Sequence, residues 1–281
     1  MMNISKLHAL KSEGKKIVAI TAYDYSTAQM IEQAGVDIIL VGDSLAMVAL
    51  GYRDTQIITI DEMCVFVKAV AKGAKNTFVI GDMPFMSYNI SLEQGLENAT
   101  KMIKAGASAI KIEGANEYLL KLVSHCTRCG IPVLAHLGFT PQFMNVFGGY
   151  KVQGKTYEAA REMLQWAKRL EEAGAFGIVL EMVPEESAKY ITDNISIPTF
   201  GIGAGRYCSG QILVSDDVLG KFTDFTPKFA RKYADLGQLI KDAVVNYSSD
   251  VREGLFPSEK EIFNLSEEEY NKLKEDSRFV N

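Results

Sequence analysis

At 281 residues, 47% of them hydrophobic and 23% charged, the chain has a globular balance and enough length for one large domain or two small ones, which excludes the disordered and fibrous classes. Thirty Lys and Arg against 35 Asp and Glu give a net charge of -5, so no overall positive field draws the chain to nucleic acid or to an anionic membrane. The apolar run Ile38–Val41 is broken at once by Gly42 and Asp43, and no run approaches the roughly 20 residues a spanning helix needs.

The opening MMNISKLHALKSEGKK has neither an apolar stretch nor a small-residue cleavage site, which predicts a cytoplasmic protein. In that compartment the four cysteines are reduced thiols, and Asn-x-Ser/Thr triplets such as Asn98-Ala99-Thr100 are chance matches. Residues 4–13 predict a short amphipathic helix. Short runs rich in Val and Ile then alternate with longer stretches of helical periodicity up to about residue 250. The predicted strands are residues 17–21, 37–41, 77–81, 109–112, 132–136, 177–180, 198–201 and, more weakly, 211–214. Eight strands with helices between them fit a parallel sheet closed into an α/β barrel, the (β/α)8 TIM barrel, which typically takes about 250 residues. Ala34-Gly35, Ala105-Gly106 and Ala173-Gly174 form a weak internal repeat, each standing where a helix should stop before the next strand. The stretch 136–155 has no pattern, holds Gly138, Gly148, Gly149 and Gly154, and reads as a lid or binding element after the fifth strand. Ser266 and Glu269 form a capping box for a charged terminal helix. No Pro/Gly/Ser-rich linker or charge block divides the chain, so residues 1–281 read as one barrel domain with a short N-terminal helix and a C-terminal helical tail.

Acidic residues at the C-terminal ends of parallel strands converge on one mouth, where barrel active sites lie. Asp43, Asp82, Glu113 and Glu181 all fall at or near predicted strand ends, with Lys111 and His136 beside them. Two or three carboxylates around one mouth suit a hard cation such as Mg²⁺, which keeps open positions for substrate oxygens. Lys111 and Glu113 alternate, so both point into the barrel if Ile110 and Ile112 face the helices, and a buried lysine there suits an anionic substrate.

Three further motifs lead elsewhere. Residues 149–156, Gly-Tyr-Lys-Val-Gln-Gly-Lys-Thr, match the phosphate-binding pattern G-x-x-x-x-G-K-[ST], but Pro141, Gln142 and Asn145 just before it do not suit the buried strand that pattern requires. Gly201-Ile-Gly203-Ala-Gly205 is a glycine-rich turn after a strand, open to close ligand approach or simply tight. Cys126 and Cys129 form a lone C-x-x-C with no second pair for zinc, and read as structural thiols.

The strand-end residues fall into ordered words: TAYD at 21–24, VGDSL at 41–45, GDMPFMSY at 81–88, KIEG at 111–114, AHLGFTPQ at 135–142, GGYKVQG at 148–154, LEMVP at 180–184, GIGAG at 201–205 and PKFARKY at 227–233. Together they closely resemble the ketopantoate hydroxymethyltransferase family, from about residue 4 to 260. The resemblance implies a barrel of the phosphoenolpyruvate/pyruvate superfamily that moves a one-carbon unit from 5,10-methylenetetrahydrofolate to the 2-oxo acid 3-methyl-2-oxobutanoate in pantothenate synthesis. It implies Mg²⁺ at Asp43 and Asp82 with Glu113 in or beside the metal shell, the keto acid held by Ser44 and Lys111, and Glu181 as proton acceptor. It places His136 near the substrate and implies a homo-oligomer, commonly a decamer. Competing readings are a related metal-dependent lyase or mutase of another 2-oxo acid, a nucleotide hydrolase built on residues 149–156, and a non-catalytic scaffold barrel.

Overall fold

A computed structural model describes residues 1–276. The chain forms two compact units, Met1–Ala234 and the segment from Asp235 onward. The first unit contains strands β1 (Ile17–Thr21), β2 (Ile38–Val41), β3 (Phe78–Asp82), β4 (Ala109–Glu113), β5 (Val133–Gly138), β6 (Gly177–Glu181), β7 (Thr199–Ile202) and β8 (Gly210–Leu213). They pair in chain order, all parallel, and β8 pairs back onto β1 to close the barrel. The expected (β/α)8 fold is therefore the observed one, and each predicted strand lies within about two residues of its observed bounds.

Strand alternation divides the core in two. Ile110, Ile112, Val133, Ala135, Ile178 and Leu180 face outward and pack with the surrounding helices. The alternate residues Phe78, Ile80, Ala109, Leu134 and Val179 fill the barrel interior together with Leu7. Inward positions are thus apolar at the strand starts and become Asp82, Lys111, Glu113, His136 and Glu181 toward the strand ends, so the same period that builds the core delivers the ionisable groups to the C-terminal mouth.

The N-terminal helix Ile4–Ser12, capped by the Asn3 side chain, is more than an appendage: Leu7 is fully buried in the interior cluster and closes the N-terminal end of the barrel. Lys11 Nζ fastens it there, donating to the carbonyls of Ile195 at 2.8 Å and Ile197 at 2.7 Å. The repeated glycines 35, 106 and 174 all take φ between +79° and +114°, the left-handed conformation that ends the helices Tyr25–Gln33, Leu92–Ala105 and Tyr157–Glu172.

The segment expected to lack pattern after β5 is more ordered than predicted. β5 runs on to Gly138, and a 3₁₀ turn, Pro141–Phe143, leads into the short helix Met144–Phe147, stopped by left-handed Gly148. Pro at the first position of the turn, where no N–H is needed, explains why helical turns form here. The residues before the G-x-x-x-x-G-K-T match are therefore helical, as their unsuitability for a strand predicted. Thr156 uses its hydroxyl to cap the helix Tyr157–Glu172, accepting from the Ala159 N–H, and Lys155 is exposed.

All four cysteines are free thiols, and burial pushes Cys126 up to about 11, which keeps it protonated and unreactive. The second unit holds helices Leu236–Glu253 and Glu267–Glu275, and the Ser266 hydroxyl accepts from the Glu269 N–H as expected. No helix among the described residues is long and apolar enough to cross a membrane.

Candidate active site

Seven residues singled out in the sequence, Asp43, Ser44, Asp82, Lys111, Glu113, His136 and Glu181, line one cavity of about 190 Å³ at the C-terminal mouth. Adjacent strands present four of them side by side, because Asp82 stands in register with Lys111 and Glu113 with His136. Lys111 Nζ lies 2.8 and 2.7 Å from the two Asp82 oxygens and 3.0 Å from Glu113 Oε1. Asp43, two residues past β2, turns back so that its own N–H donates to Asp82 Oδ2 at 3.2 Å. His136 stands between two carboxylates, with Nδ1 3.2 Å from Glu113 and Nε2 3.3 Å from Glu181. Neither contact is a well-aligned hydrogen bond, and the ring stands held between the two carboxylates. Asp43, Asp82, Lys111, Glu113 and His136 are buried, Ser44 is partly buried, and Glu181 keeps 14% exposure and is the carboxylate most open to the cavity.

The electrostatics follow from crowding acids in a dry pocket. Burial, then the neighbouring Asp82 and Glu113, push the Asp43 carboxyl well above the carboxylate range. Burial also raises Asp82, and Lys111 offsets it only in part. At Glu113 burial acts in the same upward direction, but Lys111 and His136 outweigh it and hold the group at about 2. Burial works against the charge on Lys111, yet Asp82, Glu113 and Asp43 raise it well above its ordinary value. The same contest at His136 is won by Glu113 and Glu181, which lift it to about 9.

Asp43, Asp82 and Glu113 each offer an oxygen, all within 4.8 Å of one another. Three buried carboxylates stand against one lysine and one histidine, and the three together offer only oxygens. An all-oxygen donor set of this kind fits a hard divalent cation such as Mg²⁺.

Sequence reasoning missed the residues that hold this cluster in shape. Gln142 Nε2 donates to Asp43 Oδ2 at 3.0 Å and to the Met83 carbonyl at 2.9 Å, while its backbone N–H donates to Glu113 Oε2 at 3.1 Å. Tyr88, fully buried, donates its hydroxyl to Gln142 Oε1 at 2.7 Å, and Tyr23 Oη lies 2.9 Å from Ser44 Oγ. All three stand in the recognised words, Tyr23 and Tyr88 in loops and Gln142 in the short 3₁₀ turn, where no periodicity marks them. Gly138 (φ +94°) serves the site by close approach: a Cβ there would lie 2.3 Å from the Glu181 carbonyl, which instead accepts from the Phe139 N–H. Met182, just after Glu181, takes φ +48°, a strained turn that carries the chain away from the strand end.

The profile of a family described as ketopantoate hydroxymethyltransferase matches residues 1–259. A 3-methyl-2-oxobutanoate hydroxymethyltransferase of Clostridium novyi (strain NT) is 49% identical over 271 residues, 96% of this chain and 98% of the relative. One of Thermotoga neapolitana is 51% identical over 262 residues, 93% and 96% of the two chains. Among solved structures, a 2,3-dimethylmalate lyase described as a PEP mutase/isocitrate lyase superfamily member shares the fold with TM-score 0.60 at 16% identity, covering 98% of both chains.

Proposed function

The chain belongs to the ketopantoate hydroxymethyltransferase family, and from that premise we propose that it transfers a hydroxymethyl group from 5,10-methylenetetrahydrofolate to 3-methyl-2-oxobutanoate, giving 2-dehydropantoate for pantothenate synthesis. The observation that carries the reading is a division of labour among carboxylates: three are buried together, and a fourth, Glu181, is more open to the same cavity. The first group serves for metal binding, with Asp43 and Asp82 as ligands to Mg²⁺ and Glu113 in or beside its shell. When bound, Mg²⁺ supplies Lewis-acid stabilisation of the charge that builds on the keto oxygen.

The chain's own side chains do the rest. Lys111, held by Asp82 and Glu113, and Ser44, held by Tyr23, bind the keto acid's oxygens and fix its orientation. Glu181 takes the proton from C3, and the resulting carbanionic carbon bonds to the methylene carbon of the folate; both C–N bonds of that methylene break, one water supplies the hydroxyl, the two folate nitrogens take up the C3 proton and the second water proton, and tetrahydrofolate leaves. His136, within charge contact of Glu181, supports the negative charge of that base before the transfer. We read the enzyme as cytoplasmic, and exposed apolar side chains on both units agree with a homo-oligomer, read as a decamer.

Enolisation needs no folate, so the test isolates it. With Mg²⁺ in D₂O, the wild type should exchange deuterium into C3 of 3-methyl-2-oxobutanoate and, with methylenetetrahydrofolate, form 2-dehydropantoate. Glu181→Gln, which keeps shape but loses basicity, should exchange about 10²- to 10⁴-fold more slowly. Exchange at the wild-type rate would assign the base to another group, and His136 would be the first to replace.

A further inference from the structure

In a closed eight-stranded barrel β8 stands across from β4, so residues that follow β8 face the metal-ligand cluster from the far side of the mouth. There the sequence turns acidic again, at Asp216 and Asp217 in the one-turn helix Ser215–Leu219. The two differ in their partners. Asp216 is satisfied, accepting from Ser215 Oγ at 3.1 Å and pairing with Lys221 Nζ at 3.4 Å. Asp217 is only 6% exposed, lines the site cavity, and has no hydrogen bond or ion pair to its carboxylate among the described residues. A buried carboxylate without a donor is costly, and one that opens onto a ligand cavity has a donor available only when a ligand brings it.

The wall beside it is apolar: Val214, Phe222 and Phe229 line the same cavity. Gly203, in the glycine-rich turn after β7, makes room for this wall, since a Cβ there would lie 2.8 Å from the Phe229 ring. Carboxylate and aromatic faces together select a planar heteroaromatic ring with adjacent N–H donors on one edge. The keto acid brings only acceptors and methyl groups, so it leaves Asp217 unanswered. The one-carbon donor has such an edge in its pterin ring, where N3–H and the 2-amino group stand side by side.

We propose that Asp217 binds the pterin edge of the folate co-substrate, its two oxygens accepting from N3–H and the 2-amino group, with Phe222 and Phe229 against the ring face. This assignment rests on the hydroxymethyltransferase reading and names the subsite that reading lacks. The upward shift of Asp217 to about 6, caused by burial and by Asp216, agrees with a carboxylate that has no donor in the free protein.

The probe is 6-methyltetrahydropterin, compared by calorimetry with its analogue lacking the 2-amino group. The wild type should bind the amino form about 10- to 100-fold more tightly, the range of a charge-assisted hydrogen-bond pair. Asp217→Asn should reduce that ratio to within about twofold, and its melting temperature, at or above that of the wild type, shows that it is folded. An undiminished ratio in Asp217→Asn would overturn the assignment, as would a wild type that does not distinguish the two probes. Assaying wild-type 2-dehydropantoate formation in parallel separates the failures: product with an undiminished ratio refutes the pterin subsite alone, whereas no product refutes the reading beneath it.

Discussion

In the proposed reaction Asp82 is the residue on which metal and substrate binding would meet, because it anchors Lys111 through both oxygens and offers an oxygen to the shared carboxylate group. Asp82→Asn removes a ligand charge and leaves Lys111 with Glu113 as its remaining close anion. Mn²⁺ affinity should fall measurably by calorimetry, and activity should drop on the order of 100-fold or more; wild-type Mn²⁺ affinity in that variant would remove Asp82 from the metal site. Asp217 gives a prediction of opposite sign for stability. Its native value of about 6 lies above the 3.8 of the unfolded chain, so the native state binds more protons between those values and stability falls as pH rises through the window. Asp217→Asn should therefore stabilise the free enzyme at about pH 7.5, by on the order of 1–2 kcal/mol after allowing for solvent screening, and give no gain near pH 3.8. Denaturant unfolding at the two pH values checks this, and equal stability at the higher pH would show that the carboxylate has a partner in the free protein. These residues also mark how far a sequence can be read. Asp43, Asp82, Lys111, Glu113, His136 and Glu181 were legible because strand periodicity places them at one end of one sheet. Gln142, Tyr88 and Asp217 were not, because their positions depend on how loops fold back, which no local period records.

At the scale of elements, legibility followed the strength of the local signal. The eight strands announced themselves through β-branched runs, and the helix stops through glycines whose left-handed φ few other residues adopt cheaply. The stretch after β5 was the weakest reading, since Pro141–Phe143 and Met144–Phe147 are too short for helical periodicity to appear. The same segment carries the phosphate-loop match, and the helical turns before it are not the buried strand that the motif requires. Lys155 is exposed, and Thr156 uses its hydroxyl to cap a helix. Lys155→Ala should keep most activity and bind ATP no differently from the wild type. Thr156→Ala, in contrast, should lower unfolding free energy by about 1 kcal/mol through the lost cap while leaving nucleotide binding absent. Micromolar ATP binding abolished by Lys155→Ala would mean that the loop is functional after all.

For the whole molecule, the surface of a single chain is the informative feature. The helix Leu236–Glu253 is 18 residues long and has no buried residue, although Leu239, Ile240, Val244, Val245 and Val251 are all large and apolar. In the barrel unit, Val18 on the outer face of β1 is 51% exposed and Met30 61%, where most outward strand residues are covered by helices. Helices gain most of their stability from packing an apolar face, and exposed apolar surface on this scale marks an interaction surface. The oligomer reading therefore makes a sharp demand. Sedimentation equilibrium should give a mass that is a multiple of 31.0 kDa, with ten copies expected. Ile240 and Val244 are one helical turn apart, so replacing both by Asp places two charges on one face. If that face is buried between copies, each charge lacks a partner there, and the double variant should dissociate toward smaller species or lose thermal stability in a concentration-dependent way. A wild type that sediments at 31.0 kDa at micromolar concentration would show that these side chains stay in water, and the decamer would have to be abandoned.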